Sequence, residues 1–152
     1  MAELAAAIDF PVLVKMRKAS NAHGQKFVRD SAALPQIYAG VARDYGLDES
    51  ELPLIQRHLS GSLVFTVSLA REGKVLGTVV FEALRVYPRT GGTSSLRMVI
   101  RHREAEEFDR RLIEHLNWTG FFCVDYMREE ATGRLALIDV NPRLAPGIIL
   151  AH

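Results

Sequence analysis

FFCVDYMR (residues 121–128) and RLALIDVN (residues 134–141) are two apolar runs separated by the short polar stretch EEATG at 129–133. Gly133 suits the positive-φ position of a short loop, so the runs read as an antiparallel hairpin. If residue 130 faces residue 134, then residue 125 faces residue 139. That register sets Asp125 directly across from Asp139, and equal parity puts Asn141 on the same face. Opposed Cβ atoms lie roughly 4.5–5.5 Å apart, and like charges placed there destabilise a sheet. Exposure, a shifted pKa, a basic partner or a bound cation would relieve the repulsion. Two carboxylates and an amide oxygen are hard donors of the kind Mg²⁺ uses alongside nucleotide phosphates. The other face of the second strand, Ala136, Ile138 and Val140, is expected to be core, which would give the acidic face a different purpose. The plainer alternative is a solvated face with two unrelated aspartates. Asn141-Pro142-Arg143 follows at once and adds a fixed turn and a planar cation suited to phosphate or carboxylate oxygens.

Working back along the chain, Ala105, Phe108, Leu112, Ile113 and Leu116 recur at helical spacing over residues 104–116, with acidic residues in the first turn. LRMVI (96–100) is strand-like, and YPRTGGTSS (87–95) is a loop. LVFTVSLA (63–70) and KVLGTVVFEALRV (74–86) flank Arg71-Glu72-Gly73 and read as a hairpin. PLIQRHL (53–59) is a short strand before the bend Ser60-Gly61. Leu34, Ile37, Tyr38, Val41 and Tyr45 mark a helix with Ser31 as its N-cap, Pro35 in its first turn and Gly46 as its stop. FPVLVK (10–15) is a buried strand opened by Pro11, and MRKASNAHGQKF (16–27) is a loop or tight hairpin. Mixed hairpins and two helices give an α+β class.

The whole chain has 152 residues, 48% hydrophobic and 24% charged, with 19 basic and 18 acidic side chains and a net charge of +1. That composition is globular and excludes disordered, collagen-like and disulfide-scaffold classes. No run approaches the roughly 20 apolar residues of a membrane span, and the near-zero charge gives no pull toward nucleic acid or an anionic membrane. Cys123 is the single cysteine; inside an apolar strand it reads as a small core residue. MAELAAAIDF lacks the features of a secretory leader, so a cytoplasmic location is expected.

IDVNPR at 138–143 resembles the signature of the ATP-grasp superfamily, in which an acidic residue, Asn, Pro and Arg close the nucleotide site. Other segments match in order over roughly residues 10–150: FPVLVK, the loop 18–26, LIQRHLSG (54–61), YPRTGGTSS and LNWTGFFCVDY (116–126). The carboxylate–amine ligase and carbamoyl-phosphate-synthase-like branch is the nearest in character. The resemblance implies an ATP-grasp core of two α+β subdomains, residues 1–59 and 60–152, with antiparallel sheets enclosing a nucleotide cleft. It implies ATP and Mg²⁺ (or Mn²⁺) as cofactors. Asp125, Asp139 and Asn141 would hold the metal. Lys15 would contact phosphate or the adenine edge, with His23 and Gly24 in the loop over the phosphates. Gln56, Arg57, His58 and Leu59 would line the adenine pocket, largely through the main chain. Arg97 and Arg143 would neutralise phosphate or an acyl-phosphate.

The implied reaction converts a carboxylate to an acyl-phosphate, from which an amine or thiol displaces phosphate. Small-molecule carboxylates and amines would be the substrates. Family members normally carry a preceding domain and an earlier basic residue that touches ATP. FPVLVK begins at residue 10, so the chain is expected to be a core lacking that domain, complemented by the missing piece or by its own oligomer. The family more often has several glycines in the loop at 18–26 and glutamate at the position of Asp139. A nucleotide-binding module without turnover is the alternative. A third reading is an unrelated binding protein that uses Arg85, Arg89, Arg97, Arg101 and Arg103.

Overall fold

A computed structural model of the chain describes residues 6–19, 22–87 and 93–144. The chain divides into two compact units, with the main boundary between His58 and Leu59 and with Thr93 grouped with the first unit. Among the described residues each unit carries an antiparallel sheet and a helix packed on it, so the class is α+β.

In the first unit, strands β1 (Val12–Lys15), β2 (Lys26–Val28) and β3 (Leu54–Arg57) form a sheet of order β2-β1-β3. Val12, Val14 and Val28 alternate onto one face and pack with Leu34 and Val41 of helix α1 (Leu34–Asp44). The period of two in the strands and of three to four in the helix thus meet in one small core. Of the loop or tight hairpin expected over 16–27, the structure has a hairpin with a longer connection, in which Lys26–Val28 pairs with Val12–Val14. The helix enters differently from expectation: Ala33, not Ser31, is its N-cap, and Asp30 Oδ1 accepts from the backbone N–H of Ala33 at 3.0 Å. Tyr45 closes the helix and Gly46 follows with φ of +60°.

In the second unit, β4 (Gly61–Arg71), β5 (Lys74–Tyr87), β6 (Thr93–Ile100), β7 (Gly120–Glu129) and β8 (Leu135–Asn141) form a sheet of order β6-β5-β4-β7-β8. Arg71 pairs with Lys74 across Glu72 and Gly73, both at positive φ. That is the tight turn whose twist suits adjoining strands. Pro88, Arg89, Gly91 and Gly92 of the expected loop at 87–95 lie outside the described residues, as do Ser20, Asn21 and the segment after Leu144.

Helix α2 (Arg103–His115) covers one face of this sheet, with Ala105 and Ile113 buried against Val64, Val80, Phe122, Val124 and Tyr126. Leu116, expected on that face, is the C-cap and is half exposed. The helix also buries Asp109 completely. Its carboxylate accepts from Ser68 Oγ at 2.6 Å and from Tyr126 Oη at 2.7 Å. Burial pushes the Asp109 carboxyl above the usual carboxylate range, while bonds from Ser68, Thr66 and Tyr126 pull it back. Burial also raises the Tyr126 phenol, with the Asp109 charge adding to the shift.

The opposite face of the sheet has its own apolar cluster, Phe65, Val67, Phe81 and Cys123. Both faces therefore contain core, and the expected division into a core face and an acidic face is too simple. The last strand shows why. Leu135 is its buried residue, whereas Val140 is 39% exposed. A bulge between Asp125 and Tyr126 on one side, and Leu137 and Asp139 on the other, leaves Ile138 as the extra residue. Alternation breaks there, so Ala136 and Val140 fall on different faces.

Candidate functional site

The bulge governs the acidic pair. Next to the turn, Arg128 faces Leu135, Met127 faces Ala136 and Tyr126 faces Leu137. Continued without a break, that register would place Asp125 opposite Ile138. The extra residue restores Asp125 opposite Asp139, then Val124 opposite Val140 and Cys123 opposite Asn141. The opposition expected from the sequence is present, and a one-residue insertion produces it.

The pair belongs to a row that crosses four strands. Asp139 faces Asp125, Asp125 faces Phe65, and Phe65 faces Phe81. The rings of Phe65 and Phe81 stack with centroids 5.0 Å apart. The guanidinium carbon of Arg97 sits 5.3 Å from the Phe65 centroid, a cation–π distance. Arg97 thus shares a face with the two carboxylates, although it comes from β6 at the far edge of the sheet. Sequence reasoning missed Phe65. Its partners across two strands supply the signal, and they are invisible until the register is known.

Asn141 is placed one step along from Asp139 on the same face. Its Nδ2 donates to Asp139 Oδ2 at 3.3 Å, which leaves its carbonyl oxygen as the donor atom available for a cation. Arg143 is exposed, and its backbone is tied back to the strand. Its N–H donates to the carbonyl of Asn141 at 2.8 Å, and its carbonyl accepts from Cys123 Sγ at 2.9 Å. Cys123 is buried as expected, and it fixes the turn that follows Asn141. Among the described residues no group of three or more His, Cys, Asp or Glu side chains could form a metal cage. Two carboxylates and an amide do suit Mg²⁺, which keeps several waters and is ordinarily held through one or two carboxylates and a substrate phosphate.

The first unit presents a second group. Leu13 faces Phe27 on one side and Gln56 on the other, and Lys15 follows on the same face two residues along β1. His58 lies just beyond β3; its N–H donates to the carbonyl of Pro11 at 3.0 Å. Its ring meets Phe27 edge to face, with centroids 4.9 Å apart and planes at 89°. Lys15, Gln56 and His58 are therefore brought to one face, opposite the valine core. Arg57 faces Val12 and lies on the other side of the strand. Leu59 opens the second unit. His23 packs against Tyr45, with ring centroids 5.3 Å apart. Gly24 is tightly enclosed, since a Cβ there would meet Met16 Cε at 2.8 Å. The start of this loop is anchored too: Arg17 Nε donates to the carbonyl of Leu52, and Lys18 pairs with Glu51 at 3.1 Å.

Two antiparallel sheets of three and five strands, with helices α1 and α2 among the described residues, make an α+β fold that is ATP-grasp-like by comparison with solved structures. No protein-family profile and no curated protein matches the chain. Solved structures do. The biotin carboxylase domain of Hydrogenobacter thermophilus 2-oxoglutarate carboxylase, solved with MgADP, ADP and bicarbonate, is 17% identical with a TM-score of 0.70; 96% of this chain covers 34% of that one. The pyruvate carboxylase of Rhizobium etli is 19% identical with a TM-score of 0.76, over 99% of this chain and 14% of that one. The D-alanine–D-alanine ligase of Bacillus anthracis is 18% identical with a TM-score of 0.60, over 92% and 45%. The chain thus spans less than half the length of each of these structures. No helix among the described residues is long and apolar enough to cross a membrane.

Proposed function

We propose that the chain is the Mg·ATP-binding part of an ATP-dependent carboxylate–amine or carboxylate–thiol ligase. The observation that carries this reading is the Asp125–Asp139 pair, with Asn141 beside it and Arg97 on the same face, in a chain of ATP-grasp-type fold. Asp125, Asp139 and Asn141 would hold Mg²⁺, which neutralises phosphate charge when bound. Lys15 binds phosphate as a point charge, and Arg97 and Arg143 offer planar donors to phosphoryl or acyl-phosphate oxygens. Gln56, Arg57, His58 and Leu59 hold the base, mainly through their backbone, with His23 and Gly24 near the phosphates. In the proposed reaction a substrate carboxylate oxygen attacks the γ-phosphorus and ADP leaves. An amine nitrogen or thiol then attacks the acyl carbon, phosphate leaves, and the nucleophile loses a proton. Positioning and charge neutralisation are the protein's contribution. A location in the cytoplasm suits this use of ATP.

The share of each similar structure that the chain spans supports a second reading, a nucleotide-binding module that turns over only with a further domain or a second copy. Thermal unfolding with Mg·ATP, followed by phosphate release across a panel of amino acids and small carboxylates, tests both. A melting temperature raised by Mg·ATP, with phosphate release stimulated by one substrate pair, fits the ligase. The same rise without release fits the module. No rise with Mg·ATP contradicts both.

A further inference from the structure

Asp109 is a costly residue for the place it occupies. It is wholly buried on α2, the helix that covers this sheet. Neutral hydroxyls offset the desolvation of a carboxylate only in part, and an apolar side chain of similar size would serve a core as well. Yet both of its oxygens are used, and by different strands. Oδ2 accepts from Ser68 Oγ of β4 at 2.6 Å, and Oδ1 accepts from Tyr126 Oη of β7 at 2.7 Å. Ser68 gives its hydrogen to the carboxylate, so the 2.8 Å bond between Ser68 Oγ and Thr78 Oγ1 of β5 is donated by Thr78. One carboxylate thus ties three adjacent strands to the helix.

The tie to β7 falls beside the acidic pair. Tyr126 faces Leu137 and Asp125 faces Asp139, with the extra residue Ile138 between those two partners. Neighbours on a strand point to opposite faces, so the setting of Tyr126 on one face fixes the direction of Asp125 on the other. A bulge bends its strand and interrupts the ladder, so at this step β8 gives β7 little regular support. Tyr126 supplies the support from the helix. Its ring is wholly buried and stacks with Phe108 of α2, centroids 6.0 Å apart, and its hydroxyl ends on Asp109. Resting on the Mg²⁺ reading above, we propose that Asp109 is a positioning residue for the metal site: through Tyr126 it holds β7 at the bulge, so that Asp125 stays opposite Asp139 for a shared cation. It acts from the far face of the sheet.

The test is ATP affinity by calorimetry, with Mg²⁺ and with chelator; the ratio of the two affinities measures the metal coupling. The proteins are the wild type, Tyr126→Phe, Asp109→Leu, their double variant, Asp109→Asn and Ile113→Val. Tyr126→Phe and Asp109→Leu should each remove most of the Mg²⁺ tightening, a loss of about tenfold, and leave ATP affinity in chelator unchanged. The double variant should lose no more, because both changes cut one tie. Asp109→Asn keeps an acceptor for Tyr126 and should retain the coupling. Ile113→Val thins the same core without touching the tie, and should lose stability but keep the coupling. Ligand-free melting temperatures check folding; if Asp109→Leu does not fold, Tyr126→Phe and Asp109→Asn decide. Unchanged coupling in folded Tyr126→Phe overturns the proposal. So does an equal loss in Ile113→Val, which would make the effect one of stability alone. A wild type whose ATP affinity ignores Mg²⁺ overturns the metal reading, and this proposal with it.

Discussion

Asp125 faces Asp139 across the last hairpin only because Ile138 is looped out between them and the turn. Two like charges are held opposite each other by an irregularity in the strand. Asp139→Asn removes one charge and keeps an acceptor for Asn141. In a chelating buffer the variant should be more stable, by about 0.2–1 kcal/mol. With Mg·ATP it should lose the metal-dependent rise in melting temperature. Thermal scans in the two buffers check the two opposite signs.

Arg97 reaches the acidic face by lying over Phe65. Arg97→Lys retains the charge and loses the planar stacking and the two-pronged donor. If Arg97 neutralises transferring phosphate, this variant should lower the rate of ATP turnover while binding Mg·ATP about as well as the wild type. Steady-state kinetics beside titration separates the two effects; a lysine variant with full turnover rules that role out.

The buried carboxyl of Asp109 makes stability depend on pH. Its pKa is raised in the folded state, so folded protein holds the proton more tightly than unfolded protein. Stability from this group is fully present below the ordinary carboxylate range, declines as pH rises through the folded value, and is constant above it. Asp109→Asn should therefore gain on the wild type as pH rises from about 4. Urea unfolding over that range measures the difference, which should not be constant. Tyr126→Phe takes one donor from the carboxylate and should cost about 1–3 kcal/mol.

Gly61 opens β4 with φ of +157°, and a Cβ there would lie 1.9 Å from the carbonyl oxygen of Arg128. The clash is with backbone, so no side-chain rotation relieves it. Gly61→Ala should push β4 from β7 at the end where Arg128 pairs with Glu82. A loss of about 1–3 kcal/mol is expected in urea unfolding, and a midpoint equal to the wild type contradicts the close approach.

Much of the second unit is legible in the sequence because its strands are long and bounded by turn residues. The pair Glu72-Gly73, the apolar face of α2 and the opposition of the two aspartates can all be read from spacing. The bulge at Ile138 cannot, because nothing in RLALIDVN distinguishes a regular strand from one with an extra residue. The simple pairing sum therefore gave the right partner for Asp125 and the wrong face for Ala136, which pairs with Met127 on the acidic side. The extent of β2 cannot be read from the sequence, because three residues, two of them exposed, carry no alternation. The burial of Asp109 has no signal in the spacing of its helix. That burial depends on Ser68 and Tyr126, which lie far off in sequence. Phe27 and Phe65 acquire meaning only from cross-strand neighbours.

The central claim is that Asp125 and Asp139 couple metal to nucleotide. Its most direct test is ATP affinity by calorimetry, with Mg²⁺ and with chelator, for the wild type and the Asp125→Ala, Asp139→Ala double variant. The account predicts that Mg²⁺ tightens ATP binding to the wild type by about tenfold or more, an ordinary coupling between two ligands, and leaves the double variant unchanged. Equal Mg²⁺ dependence in the two proteins would contradict it.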